Sequence, residues 1–159
     1  MSKSTGQHTH QKHDIEAAGL SPSERILLIA ARFYFTSHMK NDQPYWEAGL
    51  DLCLQHFGEE FGPLIGVRLM HVVRSMRASR KTVFQFTNPF CEACGSKKIS
   101  DCERLLMSTI VQARGGARSV ARMQALILCE GHDVDDMLSN VDALNVALCR
   151  AELEQIPQL

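Results

Sequence analysis

Apolar residues recur three and four positions apart along most of the chain, which is the spacing of one helix face. The pattern predicts six helices, at about 22–37, 46–57, 63–80, 101–114, 117–130 and 133–154. Residues 82–86 instead alternate apolar and polar side chains, which predicts one short strand or an extended entry to the following segment. The expected fold class is therefore mostly α, a bundle of about six helices.

Start and stop signals support these helix boundaries. Ser21 and Ser100 are each followed three residues later by a glutamate, which is the pattern of a capping box at a helix start. Gly58 predicts the end of the second helix, and Gly131 interrupts the pattern before the last helix.

The same spacing predicts which face of a helix is buried. The first helix is apolar nearly all round and should be buried. The predicted inward residues of the third helix are Ile65, Leu69, Val72, Val73 and Met76. Those of the fifth helix are Val120, Met123, Leu126 and Ile127, and those of the last helix are Val134, Met137, Leu138, Val141, Leu144, Leu148 and Cys149.

Composition separates the N-terminal residues from the rest. Residues 1–20 are mostly polar, which predicts a disordered tail ahead of a single helical domain at 21–157. The longest apolar run, residues 26–31, is far shorter than a membrane span, and no signal peptide is expected. Six cysteines without such a signal are typical of reduced thiols, so a cytoplasmic location is expected.

Three cysteines, Cys91, Cys94 and Cys102, lie in a loop at 88–102 that interrupts the helical pattern. Two residues between Cys91 and Cys94 allow one turn to direct both sulfurs at the same ion, and Gly95 permits positive φ. Cys102 falls at the second position of a predicted helix, whose N-terminus favours a negatively charged ligand. The cluster predicts an inserted metal-binding loop, and it resembles half of a treble-clef zinc finger.

A fourth ligand must come from elsewhere, because residues 103–114 contain no cysteine or histidine. Cys129 and His132 form a C-x-x-H sequence and are the first candidates. Cys53 is the second candidate and His71 the third.

Zinc is the favoured metal because three or four thiolates suit it, and an iron–sulfur cluster is the alternative. With Cys53 included, the cysteines form C-x37-C-x2-C-x7-C, which resembles the WhiB-type iron–sulfur regulators at those four positions. That resemblance implies cluster ligands at Cys53, Cys91, Cys94 and Cys102, with a longer last gap here. A redox-active dithiol at Cys91 and Cys94, or three unrelated thiols, are the other interpretations.

Charge is unevenly distributed, although the net charge is only −1. Residues 64–122 hold eleven Lys and Arg against three acids, whereas residues 123–159 hold one against seven. The asymmetry predicts either a polyanionic partner for the middle or pairing between the middle and the C-terminal end. The candidate nucleic-acid-binding residues are Arg68, Arg74, Arg77, Arg80, Lys81, Lys97 and Lys98, with His71 on the same face and Arg104, Arg114, Arg118 and Arg122 as an extension.

These features favour a small regulatory or adaptor protein with a structural zinc site, in the manner of a bacterial-type DNA-binding transcription regulator. One alternative is an iron–sulfur or thiol redox sensor. Another is a protein–protein interaction module that binds an acidic protein surface and no nucleic acid. A homodimer through the last helix is also expected.

The sequence lacks the common catalytic motifs. The chain has no nucleophile elbow, phosphate-binding loop or zinc-peptidase helix, and NPFCEAC lacks the upstream H-x-E of the zinc deaminases. A non-catalytic role is therefore expected.

Overall fold

The computed structural model describes residues 13–41, 44–91 and 97–157, which are mostly helical. The helices in these ranges are α1 Pro22–Met39, α2 Tyr45–Ser79, α3 Asp101–Arg114, α4 Arg118–Leu128 and α5 Asp135–Glu154. Two short strands, β1 His13–Asp14 and β2 Lys98–Ile99, pair antiparallel with His13 opposite Ile99. A 3-10 helix, Ile15–Ala18, follows β1.

Helix α2 joins two helices that the sequence predicts separately. Gly58 has φ 83° and ψ 175°, so two helical segments meet there at a sharp kink. A Cβ atom added to Gly62 would lie 2.5 Å from the Cα of Leu54, so the two segments pack almost backbone to backbone. The predicted break at Gly58 is confirmed. The count of six helices is not, because helical backbone continues directly after the kink.

The ordered chain begins before residue 21. Strand β1 pairs with β2 at the exit of the cysteine loop, and the amide of Ile15 donates to the Lys97 carbonyl at 2.8 Å. Ile15 itself is buried in the core. Residues 13–15, which are predicted to belong to the tail, are therefore held by a non-local strand pair. Residues 1–12 lie outside the described residues.

The core forms where α1 packs on α2, α2 packs on α5, and α3 packs on α4 and α5. The predicted inward stripe of α2, from Ile65 to Met76, is buried, which confirms that prediction. Most of the predicted face of α5 is buried as well, but Cys149 is exposed. Val146 and Leu153 also lie on the exposed side of α5, and a homodimer through this helix stays a prediction.

The predicted face of α4 is wrong. Val120, Met123 and Ile127 are 44%, 63% and 59% exposed, and Leu126 is exposed too. The buried stripe consists instead of Ala121, Ala125 and Leu128. Small side chains on this stripe let α4 approach α3 closely, and the larger apolar residues face outwards.

The strand predicted at residues 82–86 is not present. Residues 83–88 belong to no helix or strand, and they connect the end of α2 to the cysteine loop. Along the described ranges, no helix combines the length and the apolar character that crossing a bilayer requires.

Candidate functional site

The cysteine loop closes on one buried carboxylate, that of Glu103. Arg32 from α1 donates to it through Nε at 2.7 Å and Nη2 at 3.2 Å, and both side chains are almost fully buried. The amides of Thr87 and Ser100 donate to the same carboxylate at 3.0 and 2.8 Å. Glu103 therefore neutralises a buried arginine and joins the entry of the loop to its exit.

Arg32 also reaches the exit of the loop directly. Its Nη2 donates to the carbonyl of Lys98 at 2.7 Å, and the Ser100 hydroxyl donates to the carbonyl of Gln85 at 2.6 Å. The Ser100–Glu103 capping box is present as predicted. Its second role, as the partner of Arg32, was missed, because nothing in the local pattern connects residues 71 positions apart. The available signal was Arg32, which is the one charged residue in the apolar stretch 26–35 of α1.

An aromatic contact holds the residue before Cys91. The ring of Phe90 packs edge-on against the ring of Phe33 in α1, with 5.5 Å between the ring centres. The centre of the Tyr45 ring, at the start of α2, lies 5.3 Å from that of Phe90. The Lys40 ammonium stands 5.9 Å from the centre of the Tyr45 ring. The loop is thus attached to α1 and α2 on one side and to α3 on the other.

Two of the three loop cysteines can be placed. Cys91 and Cys102 are both half-buried, and Cys102 occupies the second position of α3 as predicted. Cys94 and Gly95 lie outside the described residues. Within 13–41, 44–91 and 97–157, no group of three or more His, Cys, Asp or Glu side chains could hold a metal ion. The set Cys91, Cys94 and Cys102 stays a prediction.

The candidate fourth ligands Cys129 and His132 belong to the connection between α4 and α5. Cys129 is buried with its Sγ 3.7 Å from the Sδ of Met137, and burial raises the pKa of its thiol. The neighbouring Glu130 accepts hydrogen bonds from the amides of Lys81 and Thr82. This connection is therefore attached to the end of α2, whereas the cysteine loop closes at Glu103.

Cys53, the second candidate, is a core residue. Its side chain is fully buried, and burial raises the pKa of the thiol to about 12. A metal ligand must be a thiolate, which this environment strongly disfavours.

The predicted basic face on α2 divides into two kinds of residue. Arg74, Arg77 and Lys81 are exposed and Arg68 is half-buried, and none of them has an ion pair with any described residue. Arg80 differs, because its guanidinium is nearly buried against Glu130, the Leu128 carbonyl and the Phe84 ring. Exposed His71 stands on the same face.

The positive charges of this face lower the pKa of a nearby histidine. Burial, followed by the charges of Arg77 and Arg74, lowers the pKa of His38 below its ordinary value. His38 lies in the last turn of α1, so the exposed cations of α2 act on the end of α1. We define Arg68, Arg74, Arg77 and Lys81 as the unpaired stripe.

The two loop lysines also differ from each other. Lys97 is exposed, whereas Lys98 donates to the Asp14 carboxylate at 2.7 Å and so helps to hold β1 against β2.

The predicted extension of the basic face is largely neutralised. Arg114 pairs with Glu152, Arg118 with Asp142 and Arg122 with Asp135. All three acids lie in α5, so part of the charge asymmetry is resolved by pairing between the middle and the C-terminal end.

Comparisons with known proteins return nothing, since no family model, curated protein or solved structure matches this chain.

Proposed function

We propose that the protein is a small regulatory or adaptor protein that binds a polyanion through the unpaired stripe. DNA is the polyanion that we propose first. The observation that supports this proposal is the segregation of charge. Arg114 of α3 and Arg118 and Arg122 of α4 are matched by acids of α5. The unpaired stripe has no ion pair with any described residue, and neither has the exposed Arg104 of α3. Cations three or four positions apart on one helix can each approach a phosphate.

A DNA-binding titration with matched variants tests the proposal. The affinity for a mixed-sequence duplex is measured by fluorescence anisotropy between about 50 and 200 mM salt. The double variant Arg74→Ala/Arg77→Ala should bind more weakly, and its slope of log affinity against log salt should fall by about 2, roughly one for each lost phosphate contact. The control, Arg118→Ala/Arg122→Ala, removes the same formal charge from the paired side.

The control should retain the slope of the native protein. An equal loss in both variants would mean that net charge alone attracts the duplex, and the assignment to α2 would be wrong. A salt-independent response, or no binding, would remove nucleic acid and favour the protein–protein interaction module.

The second proposal is a single structural zinc ion held by Cys91, Cys94 and Cys102. It is supported by the closure at Glu103, because the segments that carry Cys91 and Cys102 share one anchor within a few residues of each sulfur. When bound, zinc would cross-link the loop to the start of α3. Cys129 and His132 stay candidates for the fourth ligand, although their neighbours Glu130 and Asp133 accept hydrogen bonds from Lys81 and Ser79 near the end of α2.

Metal analysis of protein purified without oxygen tests this second proposal. We expect zinc in the native protein and in Cys149→Ser, which alters an exposed cysteine outside the loop, and loss of zinc in Cys91→Ser, Cys94→Ser and Cys102→Ser. Visible absorption with bound iron would replace zinc by the iron–sulfur alternative. Metal-free native protein would refute this second proposal.

A further inference from the structure

Three alternate residues of the segment 83–87, between α2 and the cysteine loop, bond to the body of the protein through their backbone. The carbonyl of Val83 accepts from Arg80 at 3.5 Å, and the carbonyl of Gln85 accepts from Ser100 at 2.6 Å. The amide of Thr87 donates to Glu103 at 3.0 Å. All three are odd-numbered residues, and their backbone groups are turned towards the body of the protein.

Backbone groups of successive residues in an extended chain point to opposite edges. If the segment is extended, Phe84 and Phe86 direct their amides and carbonyls away from that body. Among the described residues, none donates to or accepts from these four backbone groups. The side chains alternate too, since Val83 and Gln85 are exposed and Phe84 is buried. The four backbone groups of Phe84 and Phe86 are therefore available to a pairing strand.

A groove runs beside this edge. A cavity of about 430 Å³ lies between the segment and the end of α1, and its walls include Met39, Phe86 and Phe90. A second cavity of about 290 Å³ shares Met39, Val83, Phe84 and Phe86 as walls. The side chains of Met39 and Val83 are largely exposed, so apolar surface is accessible on both sides of the segment.

The charged residues described around the groove are all cationic. Lys40 lines the first cavity, Arg77, Arg80 and Lys81 line the second, and none of the described residues that line either cavity is acidic. Arg80 is already paired with Glu130, which leaves Lys40, Arg77 and Lys81 as the available cations. An occupant with negative charge and apolar side chains would complement this surface.

We propose that the edge formed by Phe84 and Phe86 binds an extended acidic peptide segment of a partner protein, which adds to it as a strand. Backbone hydrogen bonds to the four unpaired groups would supply affinity, as in other cases of strand addition. Alternate apolar side chains of the peptide would enter the groove, and its acidic side chains would meet Lys40 and Lys81. The site shares Arg77 and Lys81 with the unpaired stripe, whereas Arg68 and Arg74 line neither cavity.

The N-terminal residues of this chain do not fit that description. Residues 1–12 contain two lysines and no acid, so they carry the same sign as the groove. The acidic C-terminal end of a second copy has the right sign, and its binding is one outcome of the test.

Nuclear magnetic resonance with isotope-labelled protein tests the proposal. The probe is a short synthetic peptide in which Glu alternates with Val. We expect chemical-shift changes of the Phe84 and Phe86 amides. A peptide with Lys in place of Glu, and one N-methylated at its central residues, should each bind at least about tenfold more weakly. The N-methylated peptide removes backbone donors without altering the protein.

Two matched protein variants complete the test. Val83→Asp places a negative charge beside the edge, and Val146→Asp makes the same change on the exposed face of α5. Only Val83→Asp should weaken binding. Equal affinity for the N-methylated or the Lys peptide, no shift at Phe84 and Phe86, or self-association that covers the edge without peptide would each overturn the proposal.

Discussion

Charged and apolar residues are arranged differently on the two sides of this molecule. On the side of α1, α2 and the cysteine loop, Arg32 and Glu103 are paired inside the protein, while the unpaired stripe has no ion pair with any described residue. On the side of α4 and α5, the ion pairs lie at the surface and the larger apolar residues of α4 face outwards. Loss of the buried ion pair on the first side should be costly, whereas loss of a surface ion pair on the second side should cost little.

The difference matters for function because surface ion pairs contribute little to stability but strongly alter which charges a partner meets. Pairing on the α5 side cancels the field of three arginines. The absence of pairing among the described residues of the α2 face leaves a concentrated positive surface beside the loop and the groove. Each prediction below changes the same residue type, or the same charge, on both sides.

The largest expected effect is on the buried ion pair. Glu103→Gln removes one partner of a buried ion pair, which should lower the free energy of unfolding by about 3–5 kcal/mol. The control, Glu152→Gln, breaks a surface pair with Arg114 and should cost about 0–1 kcal/mol. Urea denaturation compares the two variants. Similar losses would mean that Glu103 does not carry the closure of the loop.

A smaller effect is expected from close packing in α2. Gly62→Ala brings a methyl group against the backbone of Leu54, and the two segments of the helix must separate, at a cost of about 1–3 kcal/mol. Gly115 has φ −75° and room for a Cβ atom, so Gly115→Ala should be neutral or should stabilise by about 0.4–1 kcal/mol. Thermal unfolding of the two variants measures the contrast. A neutral Gly62→Ala would refute the tight contact between the segments.

The smallest effect concerns the pH dependence of His38. Its pKa is lowered in the folded protein, first by burial and then by Arg77 and Arg74, so the unfolded chain binds more protons below about 6.5. Stability should therefore fall as the pH drops through and below that value, and His38→Gln should remove this part of the loss.

Imidazole titration by nuclear magnetic resonance separates the two sides. Arg74→Ala/Arg77→Ala should raise the pKa of His38 towards its ordinary value, whereas Arg118→Ala/Arg122→Ala should leave it unchanged. An equal rise in both variants would show that the field at His38 does not come from α2 in particular.

Several elements were predictable because their signals are local. The capping boxes at Ser21 and Ser100, the break at Gly58 and the buried stripe of α2 each depend on residues a few positions apart. Local spacing did not select between the two apolar stripes of α4, because both repeat at helical intervals. The neighbour α3 decided it, since Ala121 and Ala125 permit a closer approach than Met123 and Ile127.

The candidate site shows the same division. The sequence indicates the loop cysteines and the basic face by residue type and spacing. It does not indicate that Arg80 is paired with Glu130, that Lys98 is paired with Asp14, or that Ile15 belongs to the core. Each of these contacts joins segments far apart in the chain, and periodicity carries no information about such pairs.

By itself, the sequence of this protein determined a mostly helical chain, where most helices begin and end, and the separation of basic from acidic segments. Only the tertiary structure decided which cations remain unpaired, which carboxylate closes the cysteine loop, and which edge of residues 83–87 is left open. The physical reason is the separation along the chain over which each interaction acts. Helix formation and capping act over a few residues, whereas the burial of a charge or the pairing of a backbone edge depends on partners that only folding brings together.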